Sequence, residues 1–176
     1  MPASQVCKYG VQSSASTLGF DAKSTLHAVH GTASQLTGSV VATIADGALV
    51  LDPAPAMHVE FPVERLTSGN TLQDKEMWKL LDSKRSPIIA ADLRRLTLTG
   101  GNAYHAAGDI TMSGRRKSYE GDLTIAIDGE RLTVTGSLVV DIRDFGLQPP
   151  RLLMVTVQPQ VTVTLRLVAA AEVAVA

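Results

Sequence analysis

The chain has 176 residues, a length that suits one domain. Its 45% hydrophobic and 19% charged residues form an ordinary globular mixture, which excludes a disordered chain. A net charge of −1, without a basic stripe, argues against a nucleic-acid partner. The single cysteine, Cys7, excludes an internal disulfide.

No stretch approaches the roughly 18 consecutive apolar residues of a membrane-spanning helix. The first ten residues also lack the apolar run of a secretory signal. The sequence therefore predicts a soluble, cytoplasmic protein without a membrane span.

Alternation with a period of two dominates the chain and predicts β-strands with one apolar face. It is clearest over residues 57–64, 123–127, 132–140 and 161–167. Turn signals separate the strands, including Asp46-Gly47 and Asp128-Gly129, which favour tight hairpins. Short connections of this kind predict antiparallel neighbours.

Two local features break the alternation. The apolar parity of Ile89 and Leu93 changes before Leu96, so one extra residue near Arg94-Arg95 predicts a β-bulge. Residues 72–81 carry helical spacing after a possible capping box at Thr71 and Asp74, and they contain the only tryptophan. We expect one short helix there, packed over or beside a barrel.

About eight strands and one inserted helix favour a closed antiparallel barrel over a sandwich. We expect the barrel domain to span residues 1–168 and a C-terminal tail to span residues 169–176, which are Ala-rich and too short to cross a membrane. Small residues occupy apolar positions that large ones would otherwise fill, which predicts internal space: Ala22, Ala42, Ala91, Ala106, Gly108 and Gly136.

Ordered short motifs resemble the YceI-like family over nearly the whole chain. They are Tyr9, Leu18-Gly19-Phe20, Thr37-Gly38, Leu66-Thr67-Ser68-Gly69-Asn70 with Asp74, Ser86-Pro87-Ile88-Ile89, Gly108 to Gly114, and Ile142-Arg143-Asp144-Phe145-Gly146. The resemblance implies an all-β, lipocalin-like barrel that holds a polyisoprenoid or another long-chain amphiphile. Two histidines usual in the family are absent near Ser14 and Ser24, and the helix reads Gln73-Asp74-Lys75-Glu76-Met77.

We predict the ligand contacts from the inward-facing positions and from the late family motif. They are Leu18, Phe20, Val59, Phe61, Ile89, Tyr104, Ala106, Ile110, Met112, Ile125, Leu138, Val140, Arg143 and Phe145. Burial of about twenty ligand carbons would contribute on the order of 16 kcal/mol, against roughly 4–15 kcal/mol lost on immobilisation. Binding is therefore feasible.

Catalytic and metal chemistry find little support in the sequence. His27 and His30 are three apart, and residues so spaced on a strand point to opposite faces. His58 and His105 lie at polar positions, where we expect them to be solvated, and no strained nucleophile motif is present. We therefore predict neither an enzyme, nor a metal site, nor a cofactor.

Two charged motifs remain open to two interpretations. Arg115-Arg116-Lys117 forms either a solvated turn or a contact for an anionic head group near the barrel mouth. Arg143 and Asp144 interrupt an apolar strand, so they form either a structural ion pair or a head-group contact.

The sequence thus predicts a non-catalytic carrier that holds a polyisoprenoid or similar lipid inside its barrel. The alternative is a barrel with a filled core that acts as a structural or interaction module, for example through formation of a homodimer.

Overall fold

The computed structural model describes residues 4–26, 28–149, 151–152 and 155–172. These residues form one α-helix, α1 (Thr71–Leu80), and three 3₁₀ helices, Ser13–Ala15, Val63–Arg65 and Ile142–Phe145. They also form thirteen strands: β1 (Gln5–Val11), β2 (Thr17–Ser24), β3 (Val29–Ala33), β4 (Thr37–Ala45), β5 (Ala48–Val50), β6 (Ala56–Pro62), β7 (Leu66–Thr67), β8 (Ile88–Gly100), β9 (Ala103–Met112), β10 (Arg115–Asp128), β11 (Arg131–Asp141), β12 (Arg151–Leu152) and β13 (Val155–Ala171).

These strands close into an antiparallel barrel with eight walls. Three walls are long strands that a short irregular segment breaks in two: β1 with β2, β3 with β4, and β6 with β7. The other walls are β8, β9, β10, β11 and β13, and β13 pairs with both β1 and β2, which closes the ring. The predicted eight-stranded barrel with one inserted helix is confirmed.

Each wall is antiparallel to its neighbour, so the connections alternate between the two ends of the barrel. One end carries residues 25, 26 and 28, the segment 68–87 with α1, the hairpin turn 113–114 and residues 142–149 after β11. We call it the helix end. The opposite end carries the short turns 46–47, 101–102 and 129–130, and we call it the hairpin end.

The hairpin turns and the β-bulge lie where the sequence predicts them. Gly47 and Gly114 adopt positive φ angles of 74°, and each follows a residue that also has positive φ, as tight hairpins require. The register of β8 against β9 shifts between Leu93 and Arg95. The predicted bulge is therefore confirmed, and it returns Leu96 to the inner face.

Helix α1 begins one residue earlier than predicted and uses a different cap. The side chain of Asn70 accepts hydrogen bonds from the backbone N–H groups of Leu72 and Gln73. The predicted capping box is wrong, because the Asp74 carboxylate instead accepts from the backbone N–H and hydroxyl of Ser68. Trp78 donates from Nε1 to the Leu66 carbonyl at 2.8 Å, so α1 is anchored to β7.

The last strand extends into the segment that the sequence assigned to a tail. β13 continues to Ala171, and Ala169 is completely buried where it pairs with Val11 and Leu132. Alanine side chains are small enough to pack there between neighbouring walls. Residues 173–176 of the predicted tail lie outside the described residues.

No helix among the described residues is long and apolar enough to cross a membrane.

Candidate ligand-binding cavity

The interior of the barrel toward the hairpin end is filled with side chains. Tyr9, Val40, Ala42, Leu132 and Ala169 are each at most 2% exposed, and together with Leu96, Tyr104 and Ile125 they belong to one packed core. We call this region the filled half. Its packed side chains close the barrel interior at the hairpin end.

The interior toward the helix end encloses a cavity of about 410 Å³. Inward side chains from nearly every wall line it, and Met77, Leu80 and Leu81 of the α1 region contribute to its cover. We call this region the hollow half. Its volume falls in the range of small-molecule sites, roughly 300–1,000 Å³.

Small residues create this space. Ala22, Ala91, Ala106, Gly108 and Gly136 all line the cavity, whereas Ala42, the remaining small residue of the predicted set, belongs to the filled half. Ala106 lies directly opposite Gly121 in the β9–β10 ladder, which leaves two adjacent inward positions almost without side chain.

Close backbone packing explains why one of these positions must be glycine. A Cβ atom at Gly108 would lie 2.5 Å from the backbone carbonyl oxygen of Asp92, whereas at Gly121 the nearest atom would be the flexible Cδ1 of Leu138 at 3.3 Å. Gly108 is therefore required by the β8–β9 contact. At Gly121 the absence of a side chain instead enlarges the cavity.

Outward side chains brace the wall of the hollow half with ion pairs. The Asp109 carboxylate accepts hydrogen bonds from the Arg116 guanidinium and the Ser118 hydroxyl, and it pairs with Arg94 at 3.1 Å. The Ser118 hydrogen bond is the largest cause that holds the pKa of Asp109 below its usual value, and the two arginines add to it. On the next walls, His58 binds the carboxylates of Asp92 and Glu60.

These bonds hold the charged groups of Arg94, Asp109 and Arg116 on the outer face of the wall. The cavity lining is consequently overwhelmingly apolar.

A polar group borders the cavity near the helix end. The Tyr119 hydroxyl donates to Oδ2 of Asp144 at 2.6 Å, and its ring stacks on Phe145 with centroids 6.1 Å apart. Burial, followed by this hydrogen bond to a carboxylate, raises the pKa of Tyr119 to about 12. Tyr119 is therefore a neutral, oriented donor at physiological pH.

Most of the predicted contact residues come together around this cavity. Its lining includes Leu18, Phe20, Val59, Phe61, Ile89, Ala106, Ile110, Met112, Leu138 and Val140. Whether a ligand touches them stays a prediction.

Four predicted contact residues lie elsewhere. Tyr104 and Ile125 are on the inner face but in the filled half, beyond the point where the cavity ends. Phe145 is 1% exposed and packs behind Tyr119 instead of facing the cavity. Arg143 is held by Asp141 through a 2.7 Å ion pair within the turn after β11.

Of the two interpretations of Arg143 and Asp144, the structural ion pair fits Arg143, but its partner is Asp141 instead of Asp144. Asp141 caps the 3₁₀ helix by accepting from the Arg143 backbone N–H, which brings the guanidinium back onto the same carboxylate. Arg143 thereby lowers the pKa of Asp141, with the side-chain hydrogen bond as the largest cause. The Asp144 carboxylate instead accepts the hydrogen bond from the Tyr119 hydroxyl.

His58 and His105 are partly solvated, as expected at polar positions, with 39% and 42% of their side-chain surface exposed, but each also binds a carboxylate. Hydrogen bonds to Asp92 and to Asp122 are the largest causes that raise the pKa values of His58 and His105, respectively. His30 binds Asp21, while His27 lies outside the described residues. Among the residues that the structure describes, no group of three or more His, Cys, Asp or Glu side chains could hold a metal ion.

Sequence reasoning missed the contribution of the α1 region to the lining. Gln73, Glu76 and Met77 border the cavity together with Leu80 and Leu81. The helical spacing of Met77, Leu80 and Leu81 was visible, but which face of the helix meets the barrel depends on the anchor between Trp78 and Leu66. Tyr119 was also missed, although it shares the parity of Leu123 on β10.

Comparison with solved structures supports the fold. BcnA of Burkholderia cenocepacia superimposes with a TM-score of 0.77 at 18% identity, over 91% of this chain and 99% of that one. A polyisoprenoid binding domain from Saccharophagus degradans, implicated in plant cell wall breakdown, gives 0.72 at 13% identity, over 96% and 100%. A YCEI protein of Campylobacter jejuni gives 0.64 at 12% identity, over 82% and 85%.

At these identities the likeness concerns the fold alone. No curated protein is similar enough to the sequence to count as a match. The model of the YceI-like domain, however, matches residues 9–169, which is nearly the whole barrel. The chain therefore belongs to the YceI-like family.

Proposed function

We propose that this protein is a carrier that holds the hydrocarbon part of a polyisoprenoid or similar amphiphile in the hollow half of its barrel. The observation that carries the proposal is the apolar cavity of about 410 Å³, walled by small residues and covered by the α1 region. The neighbour from Saccharophagus degradans, described as a polyisoprenoid binding domain, supports the choice of ligand class.

The dimensions suit a chain and not a compact solute. On β9 the cavity lining runs from Ala106 to Met112, which at about 3.3 Å per residue is roughly 20 Å. Burial of about fifteen ligand carbons would contribute on the order of 12 kcal/mol, which is comparable with the roughly 4–15 kcal/mol cost of immobilisation. Burial of the hydrocarbon chain can therefore drive binding, but the affinity also depends on other contacts.

A plug in the cavity tests the proposal. Ala106→Trp places an indole opposite Gly121, where two adjacent inward positions have almost no side chain. We expect it to abolish binding of geranylgeraniol, measured by equilibrium dialysis, while the melting temperature changes little. The matched control is Ala126→Trp, the same substitution at an exposed position of β10, which should leave binding unchanged.

A second variant keeps the test decisive if Ala106→Trp does not fold. Ala91→Phe enters the same cavity from β8 with a smaller ring. If both folded variants bind geranylgeraniol like the wild type, or if the wild type binds no long-chain probe, the carrier proposal is wrong. In that case an interaction module is the better account.

A further inference from the structure

Arg115 and Lys117 of β10 lie on the inner face of the barrel wall, just beyond the edge of the cavity. Arg115 pairs with Met112 and Lys117 pairs with Ile110 in the β9–β10 ladder, and both partners line the cavity. Residues directly opposite in a ladder point to the same face. Arg115 and Lys117 therefore continue the inward-facing series of Tyr119 and Leu123, yet both are exposed, which places them at the rim of the helix end.

We infer that Arg115 and Lys117 form the recognition site for the phosphate head group of the amphiphile whose chain the cavity holds. The inference rests on the proposed function, because the cavity must hold the chain for the head group to reach this rim. A phosphate suits the pair, since a guanidinium offers two parallel donors to its oxygens and a lysine adds a point charge.

Arg115 and Lys117 differ from the neighbouring arginines, whose side chains are paired with carboxylates. Arg94 and Arg116 pair with Asp109, Arg95 pairs with Glu120, and Arg143 pairs with Asp141. Within the part of the chain that the structure describes, the side chains of Arg115 and Lys117 have no hydrogen-bond or ion-pair partner. Two inward cations without a counter-charge at the opening of an apolar cavity favour an anionic ligand group.

Arg115 is also held in place. Its guanidinium lies so close to Gly146 that a Cβ atom there would approach Cζ to 2.8 Å, so the glycine leaves room for the arginine. Gly146 ends the 3₁₀ helix Ile142–Phe145 with a φ of 75°, which a residue with a side chain adopts rarely. On the other side of the turn, the Ser113 hydroxyl donates to the Leu81 carbonyl at 2.9 Å and ties the hairpin to the α1 region.

Two carboxylates of the turn after β11 are already engaged, whereas Glu76 of α1 also borders the cavity. Asp141 is bound to Arg143, and Asp144 accepts from Tyr119. At the hairpin end, Arg131 lies beside the acidic residues Asp128 and Glu130. The two unpaired cations of β10 therefore lie at the helix end, which favours a phosphate there.

The experiment compares two probes that share one chain. Geranylgeranyl monophosphate and geranylgeraniol differ only in the head group, so the ratio of their dissociation constants isolates its contribution. We expect the wild type to prefer the phosphate. The Arg115→Gln/Lys117→Gln double variant should lose about tenfold or more of that preference, because charge-assisted contacts contribute most, while its affinity for the alcohol stays unchanged.

Arg116→Gln is the matched control, since it removes the cation between the two but on the outer face, where it binds Asp109. It should keep the preference. Excess inorganic phosphate should compete poorly, which separates a lipid head group from a free phosphate site. If the wild type has no preference, or if the double variant retains it, the head-group inference is wrong while the carrier proposal stands. If neither probe binds, both fail.

Discussion

The two halves of the barrel share the same walls but differ in what fills them. On β9, Tyr104 is buried in the filled half, and two residues farther along the same face Ala106 borders the cavity. On β11, Leu132 is completely buried, and Gly136 and Leu138 border the cavity. A strand with one apolar face can therefore build both a solid core and a cavity, and the size of successive inward residues decides which.

The two halves therefore contribute differently to stability. The filled half supplies close packing, which is where dispersion contacts and the removal of apolar surface from water stabilise the fold. In the hollow half the inner face borders a cavity, and the outer face of its wall is stabilised by Asp109 and its arginine partners. Substitutions in the two halves should thus have different consequences.

The largest contrast should come from two leucines on β11. Leu132→Ala creates a new void in the filled half, and we expect it to lower the free energy of unfolding by about 2–5 kcal/mol. Leu138→Ala only enlarges an existing cavity, where the side chain already lacks partners on one side, so its cost should be clearly smaller. Urea denaturation of both variants measures the difference. Equal losses would contradict the distinction between the two halves.

Overpacking should show the same contrast in reverse. Ala42→Trp forces a large ring into the filled half and should destabilise the protein by about 1–3 kcal/mol or more, or prevent folding. Ala106→Trp adds the same ring to the hollow half and should cost less than about 1 kcal/mol. The melting temperatures of the two variants provide the comparison. A lower value for Ala106→Trp than for Ala42→Trp would indicate that the cavity is not space that a side chain can occupy.

Two glycines within the hollow half separate backbone contact from cavity volume. Gly108→Ala brings a Cβ atom to 2.5 Å from the Asp92 carbonyl oxygen, so β8 and β9 must move apart, and we expect a loss of about 1–3 kcal/mol. Gly121→Ala meets only the end of the Leu138 side chain and should be nearly neutral or slightly stabilising. Thermal unfolding distinguishes the two, and the opposite ranking would show that the β8–β9 contact is not the constraint.

The smallest effect should depend on pH and involve the outer brace at His58. Its folded-state pKa is raised, chiefly by the hydrogen bond to Asp92, so its stabilising contribution is complete below about pH 6.5 and is lost as the pH rises through the folded-state pKa. Because the side chain is 39% exposed, we expect less than about 1 kcal/mol.

His58→Gln isolates this contribution, since His105 titrates in both proteins. The difference in unfolding free energy between wild type and variant should be larger at pH 5.5 than at pH 8.5. A difference that is constant or grows toward pH 8.5 would show that protonation of His58 does not stabilise the wall.

The sequence by itself determined the barrel and most of its inner face. Alternation sets which side chains point inward, Asp-Gly and Gly pairs set the hairpins, and the shifted parity between Leu93 and Leu96 reveals the bulge, because each of these depends only on residues that are close along the chain. Small inward residues such as Ala106 and Gly108 even predicted the internal space. Five of the six predicted small residues border it: Ala22, Ala91, Ala106, Gly108 and Gly136.

Only the tertiary structure decided where the cavity stops and which charged groups are free. Tyr104 and Ile125 have the same parity as the cavity residues, but the depth of each position depends on the tilt and register of all eight walls together. Likewise, Arg115, Arg116 and Arg143 are the same residue type, and which of them is paired depends on groups brought close by the fold. Pairing of Arg116 with Asp109 and of Arg143 with Asp141 leaves Arg115 available, a distinction that needs distances and not residue types.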